Sequence, residues 1–175
     1  GLGAIIITGA LDLDANITSA TSLSVSTTSN LGADVTTSGS QTYTGAVTLS
    51  ADNTLTTTSN GSVSFGLTTN GAQTLSITTN GTGDVTFTDD VGESAGLNGL
   101  TISTNDFNAV DLKVGGTISI TNTGTSSEIT GVIANDTDAA VFTKAGAGTL
   151  TLSGTNTYTG VTTISAGTLS ISADN

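Results

Sequence analysis

The sequence predicts an all-β chain wound as a parallel β-solenoid, and three observations carry that expectation. Short apolar–hydroxyl–apolar triplets recur along the chain, turn residues separate them at intervals of roughly ten to twelve residues, and one segment returns further along. The triplets are Leu23-Ser24-Val25, Val47-Thr48-Leu49, Val63-Ser64-Phe65, Leu75-Ser76-Ile77, Val85-Thr86-Phe87, Leu100-Thr101-Ile102, Ile118-Ser119-Ile120, Leu150-Thr151-Leu152 and Leu169-Ser170-Ile171. Each puts two apolar side chains on one face and a hydroxyl on the other, the period-2 mark of a half-buried strand. Thr on the outer face keeps β propensity high without adding charge. No window shows the i, i+3, i+4, i+7 apolar spacing of a helix, and Thr, Ser, Gly and Asn are poor helix-interior residues.

Asn60-Gly61, Asn70-Gly71 and Asn80-Gly81 recur at intervals of ten. Asn-Gly reaches positive φ cheaply, so each pair marks a corner or a hairpin turn. Hairpins would give an antiparallel meander or a sandwich; corners of one sense give a solenoid of roughly 20 residues per coil. The solenoid is favoured on three counts. The strands are short and alike, with no large anchor such as the core Trp of a sandwich. A narrow core suits Val, Leu, Ile and a few stacked rings, Phe65, Phe87, Phe107 and Phe142. The chain also repeats itself: residues 41–51 match residues 156–166, and Ser-Ala-Asp-Asn stands at 50–53 and again at 172–175. Residues 1–175 therefore read as one continuous solenoid. The absence of Pro leaves every backbone N–H free for a ladder.

Composition narrows function. Of 175 residues, 23 are Gly, only 9% are charged, and His, Cys, Arg, Met and Trp are absent. That removes thiolate nucleophiles, Ser–His relays, ordinary zinc sites and disulfides. Fourteen carboxylates against Lys113 and Lys144 give a net charge of −12. Such a surface repels phosphate backbones and anionic membranes, so neither nucleic acid nor membrane insertion is expected of this segment. Mean hydropathy of +0.19 and few charges argue against a disordered acidic tail. A start without Met and a pattern still running at its close predict a segment of a longer solenoid.

Recognisable residues appear at Lys144-Ala145-Gly146-Ala147-Gly148-Thr149-Leu150-Thr151-Leu152-Ser153-Gly154, followed by Thr155-Asn156-Thr157-Tyr158-Thr159-Gly160. With Thr162-Thr163-Ile164, Gly167-Thr168-Leu169 and Ile171, residues 144–171 closely resemble the autotransporter-associated β-strand repeat, also known as the passenger-associated transport repeat. Upstream, the Thr-Tyr-Thr-Gly unit and Gly83-Asp84-Val85-Thr86-Phe87 look like the degenerate repeats of haemagglutinin-like bacterial surface proteins. The resemblance implies a right-handed parallel β-helix in a secreted passenger at the bacterial cell surface, acting as a stalk. Only one full copy occurs, so residues 1–140 inherit the fold by pattern and composition.

The carboxylate clusters Asp12/Asp14, Asp89/Asp90 with Glu93, and Asp136/Asp138 are the candidate oxygen ligands, and calcium is the cofactor they would suit. None matches an EF-hand or the G-G-x-G-x-D nonapeptide. Their other reading is as solvated corner residues that discourage aggregation. Without Arg, His or Trp no enzyme is expected, although spacing alone leaves room for a glycosidase carboxylate pair. Thr-x-Thr units at 42–44, 54–56, 86–88, 149–151 and 157–159 read as outward strand positions; aligned on one flat rank they would suit an ice-binding face. Tyr43 and Tyr158 read as corner-packing residues.

The function expected is a structural or adhesive extracellular fibre whose open ends stack on one another, with self-association or host surface glycans and proteins as partners. The alternative is a solenoid binding ice, glycan or calcium through a Thr-rich or Asp-rich face.

Overall fold

The computed structural model describes residues 1–173. The second Ser-Ala-Asp-Asn copy therefore ends, at Asp174 and Asn175, outside the described residues. Every strand pairing is parallel, and no helix occurs among the described residues. The chain is a β-solenoid, and each coil visits three faces in turn.

The first face stacks Leu2–Ile7, residues 22–25 of Ile17–Val25, Gln41–Tyr43, Val63–Phe65, Val85–Phe87, Phe107–Ala109, Ser127–Ile129, Thr149–Leu152 and Thr168–Ile171. Those nine strands make eight inter-coil steps, a length of about 38 Å at the ordinary strand spacing. The second face stacks Leu11–Leu13, Ser29–Leu31, Val47–Leu49 and Thr69–Asn70, continues through bridges at Val91, and ends with residues 112–114 and Ile133–Asn135. The third runs from residues 17–20 through Val35–Thr37, Asn53–Thr57, Thr74–Thr78, residues 99–104, residues 117–121 and Val141–Ala145 to Thr162–Ile164.

Coil length varies. Ile5 pairs with Leu23 and Leu23 with Gln41, a repeat of 18, whereas Gln41, Val63, Val85 and Phe107 follow at 22. Longer coils swell at the corner between the second and third faces: Leu75 pairs with Leu100, and Ile118 with Phe142.

The pleat turns alternate residues inward, so parallel register converts the sequence into columns. One inward column on the first face reads Val25, Tyr43, Phe65, Phe87, Ala109, Ile129, Leu152. Tyr43 and Phe65 stack at 5.2 Å between centroids, Phe65 and Phe87 at 4.4 Å, and Phe107 meets Phe87 edge-on at 6.2 Å. Ring contacts of this kind add about 0.5–1.5 kcal/mol each beyond area burial. The expected Phe stack is thus real but composed differently. Tyr43 belongs to it, fully buried, and is no corner residue; Phe142 lies apart, against Tyr158 at 6.0 Å.

The internal repeat is corrected too. Residues 41–43 form a first-face strand, whereas the matching residues 156–158 lie over Ile133 on the second face: the Thr157 and Tyr158 N–H groups both donate to the Ile133 carbonyl, at 2.9 and 3.1 Å. The two copies sit one face out of phase. The sequence likeness records a shared strand–corner–strand rhythm, not an equivalent place in the coil.

Candidate functional site

Three places gather side chains that do more than fill the core. The first is the corner from the third face to the first. Here the last inward residue of the third face is polar in coil after coil, and it donates to a carbonyl of the corner that follows. Thr37 Oγ1 donates to the Gly39 carbonyl at 2.5 Å, Thr57 to Gly61 at 2.5 Å, and Thr79 to Gly83 at 2.7 Å. Asn122 Nδ2 donates to Gly124 at 3.1 Å and to the Thr149 carbonyl at 2.9 Å. The corner backbone is packed too tightly for side chains: a Cβ on Gly61 would lie 2.3 Å from the Gly39 carbonyl carbon. This hydrogen-bonded spine satisfies carbonyls that the strand ladder leaves over.

Lys144 closes that spine. It faces inward between Ile120 and Ile164, has no exposed surface, and donates from Nζ to the carbonyls of Ala145 at 2.6 Å and Gly146 at 3.1 Å. Burial pushes its ammonium below the usual lysine value. Gly146 and Gly167 carry φ of 74° and 71°, and a Cβ on Gly167 would meet Lys144 Nζ at 3.0 Å. The Lys-x-Gly signature of residues 144–146 therefore encodes a corner, with the lysine as its internal clamp.

The second place is the outer surface of the third face. Pairing aligns Thr54, Ser76, Thr101, Ser119, Thr143 and Thr163 in one outward column and Thr36, Thr56, Thr78, Ser103 and Thr121 in another. No Asp or Glu lies on any strand of this face. Of the five Thr-x-Thr units, only 54–56 belongs here; Thr42, Thr86 and Thr151 point outward from the first face. The regular rank is built from Thr and Ser together, so the spacing of Thr alone does not reveal it.

The third place is acidic. Most carboxylates sit at corners, and several cap the N–H of a neighbouring coil. Asp34 Oδ1 accepts from Thr54 N–H and Asp52 Oδ1 from Thr74 N–H, both at 2.8 Å; Asp84 Oδ1 accepts from Asp106 N–H at 3.0 Å. The Thr74 N–H holds the Asp52 carboxyl below its ordinary value. Of the calcium candidates, Asp89 Oδ1 accepts the Asp90 N–H at 2.9 Å, and Asp136 is ion-paired to Lys113 at 3.0 Å. Glu93 and Asp138 are exposed, in the swollen corners of their coils. Among the described residues, no three carboxylates are grouped to hold a metal ion. Nor is any helix long and apolar enough to cross a membrane.

A parallel solenoid with hydrogen-bonded corners, a neutral hydroxyl face and acidic edges defines the class: an all-β, coil-stacked β-solenoid. Comparison sharpens this over part of the chain. Residues 142–171 match the passenger-associated-transport-repeat family, two residues more at the start than the motif itself suggests. Over 97 residues, 49% of this chain, the sequence is 37% identical to an adhesin autotransporter, BmaC, of Brucella suis biovar 1 (strain 1330). The aligned region covers 3% of that relative's length. No solved structure matches the chain.

Proposed function

We propose that this chain is part of the stalk of an adhesive, secreted passenger displayed at a bacterial cell surface, structural and not enzymatic. The observation that carries the reading is the continuous parallel stack of the first face from Leu2 to Ile171, in which each coil hydrogen-bonds its neighbours along the axis. Rigidity then grows with coil number and needs no cofactor. The passenger repeat at residues 142–171 and the adhesin relative support the setting. Carboxylates on the corners keep acidic edges apart, while the end strands offer unpaired backbone groups to a further coil or a second copy. Sedimentation of the isolated chain across a concentration series tests this. An elongated particle that associates end to end is expected; a compact sphere at every concentration contradicts it.

A second reading has one observation of its own. The third face is a regular, charge-free array of hydroxyls in a chain of net charge −12. Coils about 4.8 Å apart and alternate residues about 6.7 Å apart set its lattice, which suits an ordered neutral surface such as ice. Thermal hysteresis abolished by Thr101→Tyr supports this reading, and none in the unaltered chain removes it.

A further inference from the structure

We propose that a cleft on the second face receives a basic side chain of a protein partner, with its methylenes on an apolar floor and its charged head between Asp90 and Asp111. The cleft has a volume of about 250 Å³, and the part-exposed Val132 and Ala134 form its apolar floor, with Val91 and Leu112 buried beneath. Asp90, Asp111, Glu93 and Lys113 stand around it, the Lys113 ammonium being held by Asp136 at 3.0 Å.

The two aspartates are placed by register. Thr69 N–H donates to the Asp90 carbonyl, Val91 N–H to that of Asp111, and Leu112 N–H to that of Val132. Asp90, Asp111 and Val132 thus hold one corner position on three successive coils, with like charges about one strand spacing apart.

Such pairs are tolerated elsewhere because donors fill the gap. At the Asp84/Asp106 pair, Asp84 Oδ1 accepts from Asn105 Nδ2 at 2.9 Å and Asp106 N–H at 3.0 Å, and Asp106 Oδ1 from Ser126 N–H at 2.9 Å and Ser127 Oγ at 3.1 Å. At Asp90/Asp111 the compensation is thinner. Asp111 Oδ1 accepts the Val132 N–H at 2.6 Å, and the Asp111 N–H is turned toward Asp90. Burial, with the charges of Asp111 and Asp89, raises the Asp90 carboxyl above its ordinary value. Neither lysine of the chain relieves it: Lys113 is paired with Asp136 at 3.0 Å, and Lys144 is clamped in its corner. An external cation would relieve the repulsion. An apolar floor beside the carboxylates selects a cation carried on a hydrocarbon stem, as in Lys or Arg.

This assignment rests on the adhesive reading by naming a partner chemistry for it, yet its test is separate. Nα-acetyl-lysine methylamide is titrated into the isotope-labelled chain, with the norleucine analogue and spermidine as controls. Saturable shifts confined to Asp90, Val91, Asp111 and Leu112 are expected, at least tenfold weaker with norleucine and spermidine. Asp90→Asn with Asp111→Asn should abolish them while leaving the signals of the Phe65 and Phe87 stack in place. Equal shifts at Asp34, Asp52 and Asp84, equal binding of spermidine, or indifference to the double substitution overturns the assignment. Should the probe fail while cells displaying the passenger still adhere, the cleft is excluded and the adhesive reading stands.

Discussion

The central coils, from Gln41 to Ala109, and the repeat at residues 142–171 solve the same stacking problem by different means. In the centre, a 22-residue spacing keeps Tyr43, Phe65 and Phe87 in one column, and all three rings are buried. In the repeat, the coil holding Thr162–Ile164 and Thr168–Ile171 leaves Val161, Ile164 and Ile171 exposed at 69%, 53% and 56%. Its distinguishing feature is a corner held by Lys144. Val161, Ile164 and Ile171 face the end of the stack, as Leu2 and Ile6 face its start at 57% and 72%, while Phe142, Lys144, Leu150 and Leu152 of the same repeat are buried. The two regions differ in their corners and not in the tightness of their packing. A motif records what a corner demands of particular residues, whereas a column of apolar side chains admits many sequences.

The largest effect expected from breaking this contrast is at Phe65. Phe65→Ala removes the middle ring of the stack and should cost about 3–5 kcal/mol, read as a lower melting temperature and lost amide protection across residues 41–109. Lys144→Ala should cost less, about 2–4 kcal/mol from the lost stem and two hydrogen bonds, with protection lost only from residues 142–171. Lys144→Met restores the stem without the charge, so no ammonium has to be desolvated in the core. It should recover most of the loss; a methionine variant as weak as the alanine one would place the effect in the ammonium's hydrogen bonds instead.

Alkaline titration separates the two regions further. Burial raises the Tyr43 phenol well above its ordinary value, so the unfolded chain loses that proton first. Stability contributed by Tyr43 is full below about pH 10 and falls as pH rises beyond it. Lys144 is depressed, so the unfolded chain keeps its proton longer, and the repeat gains stability as pH climbs toward about 10.4. Residue-resolved exchange between pH 8 and 11 should show the centre weakening while the repeat does not; Tyr43→Phe should remove the central loss.

Smaller still are the acid effects. The Asp52 carboxyl is held low, so its contribution is present above the ordinary aspartate value and fades as pH falls through its folded one. Asp90 is shifted the opposite way, so Asp90→Asn should raise the melting temperature slightly at neutral pH, whereas Asp52→Ala lowers it slightly.

All nine sequence triplets lie within strands, and in eight of them both apolar residues are buried, Ile171 of the ninth being exposed. Among the strands that hold no such triplet, Leu11–Leu13 and Phe107–Ala109 place Asp12 or Asn108 where the triplet has a hydroxyl, whereas several others carry a polar inward residue, as in Ser29–Leu31, Gln41–Tyr43, Asn53–Thr57, Thr69–Asn70 and Ser127–Ile129. Gln41 shows why these survive. It sits between Leu23 and Val63, and its Nε2 donates to the Thr56 carbonyl at 2.9 Å and the Val35 carbonyl at 3.2 Å. A column supplies the apolar neighbours that its own strand lacks, and columns depend on register between coils of 18 to 25 residues, which period-2 patterning does not encode. The hydroxyl face was hidden for the same reason, and the Asp90/Asp111 pair because its members lie 21 residues apart. Lys144 was visible as part of a motif, but its inward direction was not.

The central claim is parallel register between coils, and the absence of Cys from the sequence makes it directly measurable by cross-linking. Thr54 and Ser76 are outward register partners on adjacent coils. Thr54→Cys with Ser76→Cys should form a disulfide rapidly in the folded chain, while Thr54→Cys with Thr78→Cys, offset by two residues, should not. Efficient closure of the offset pair, or none in the register pair, would contradict the solenoid described here.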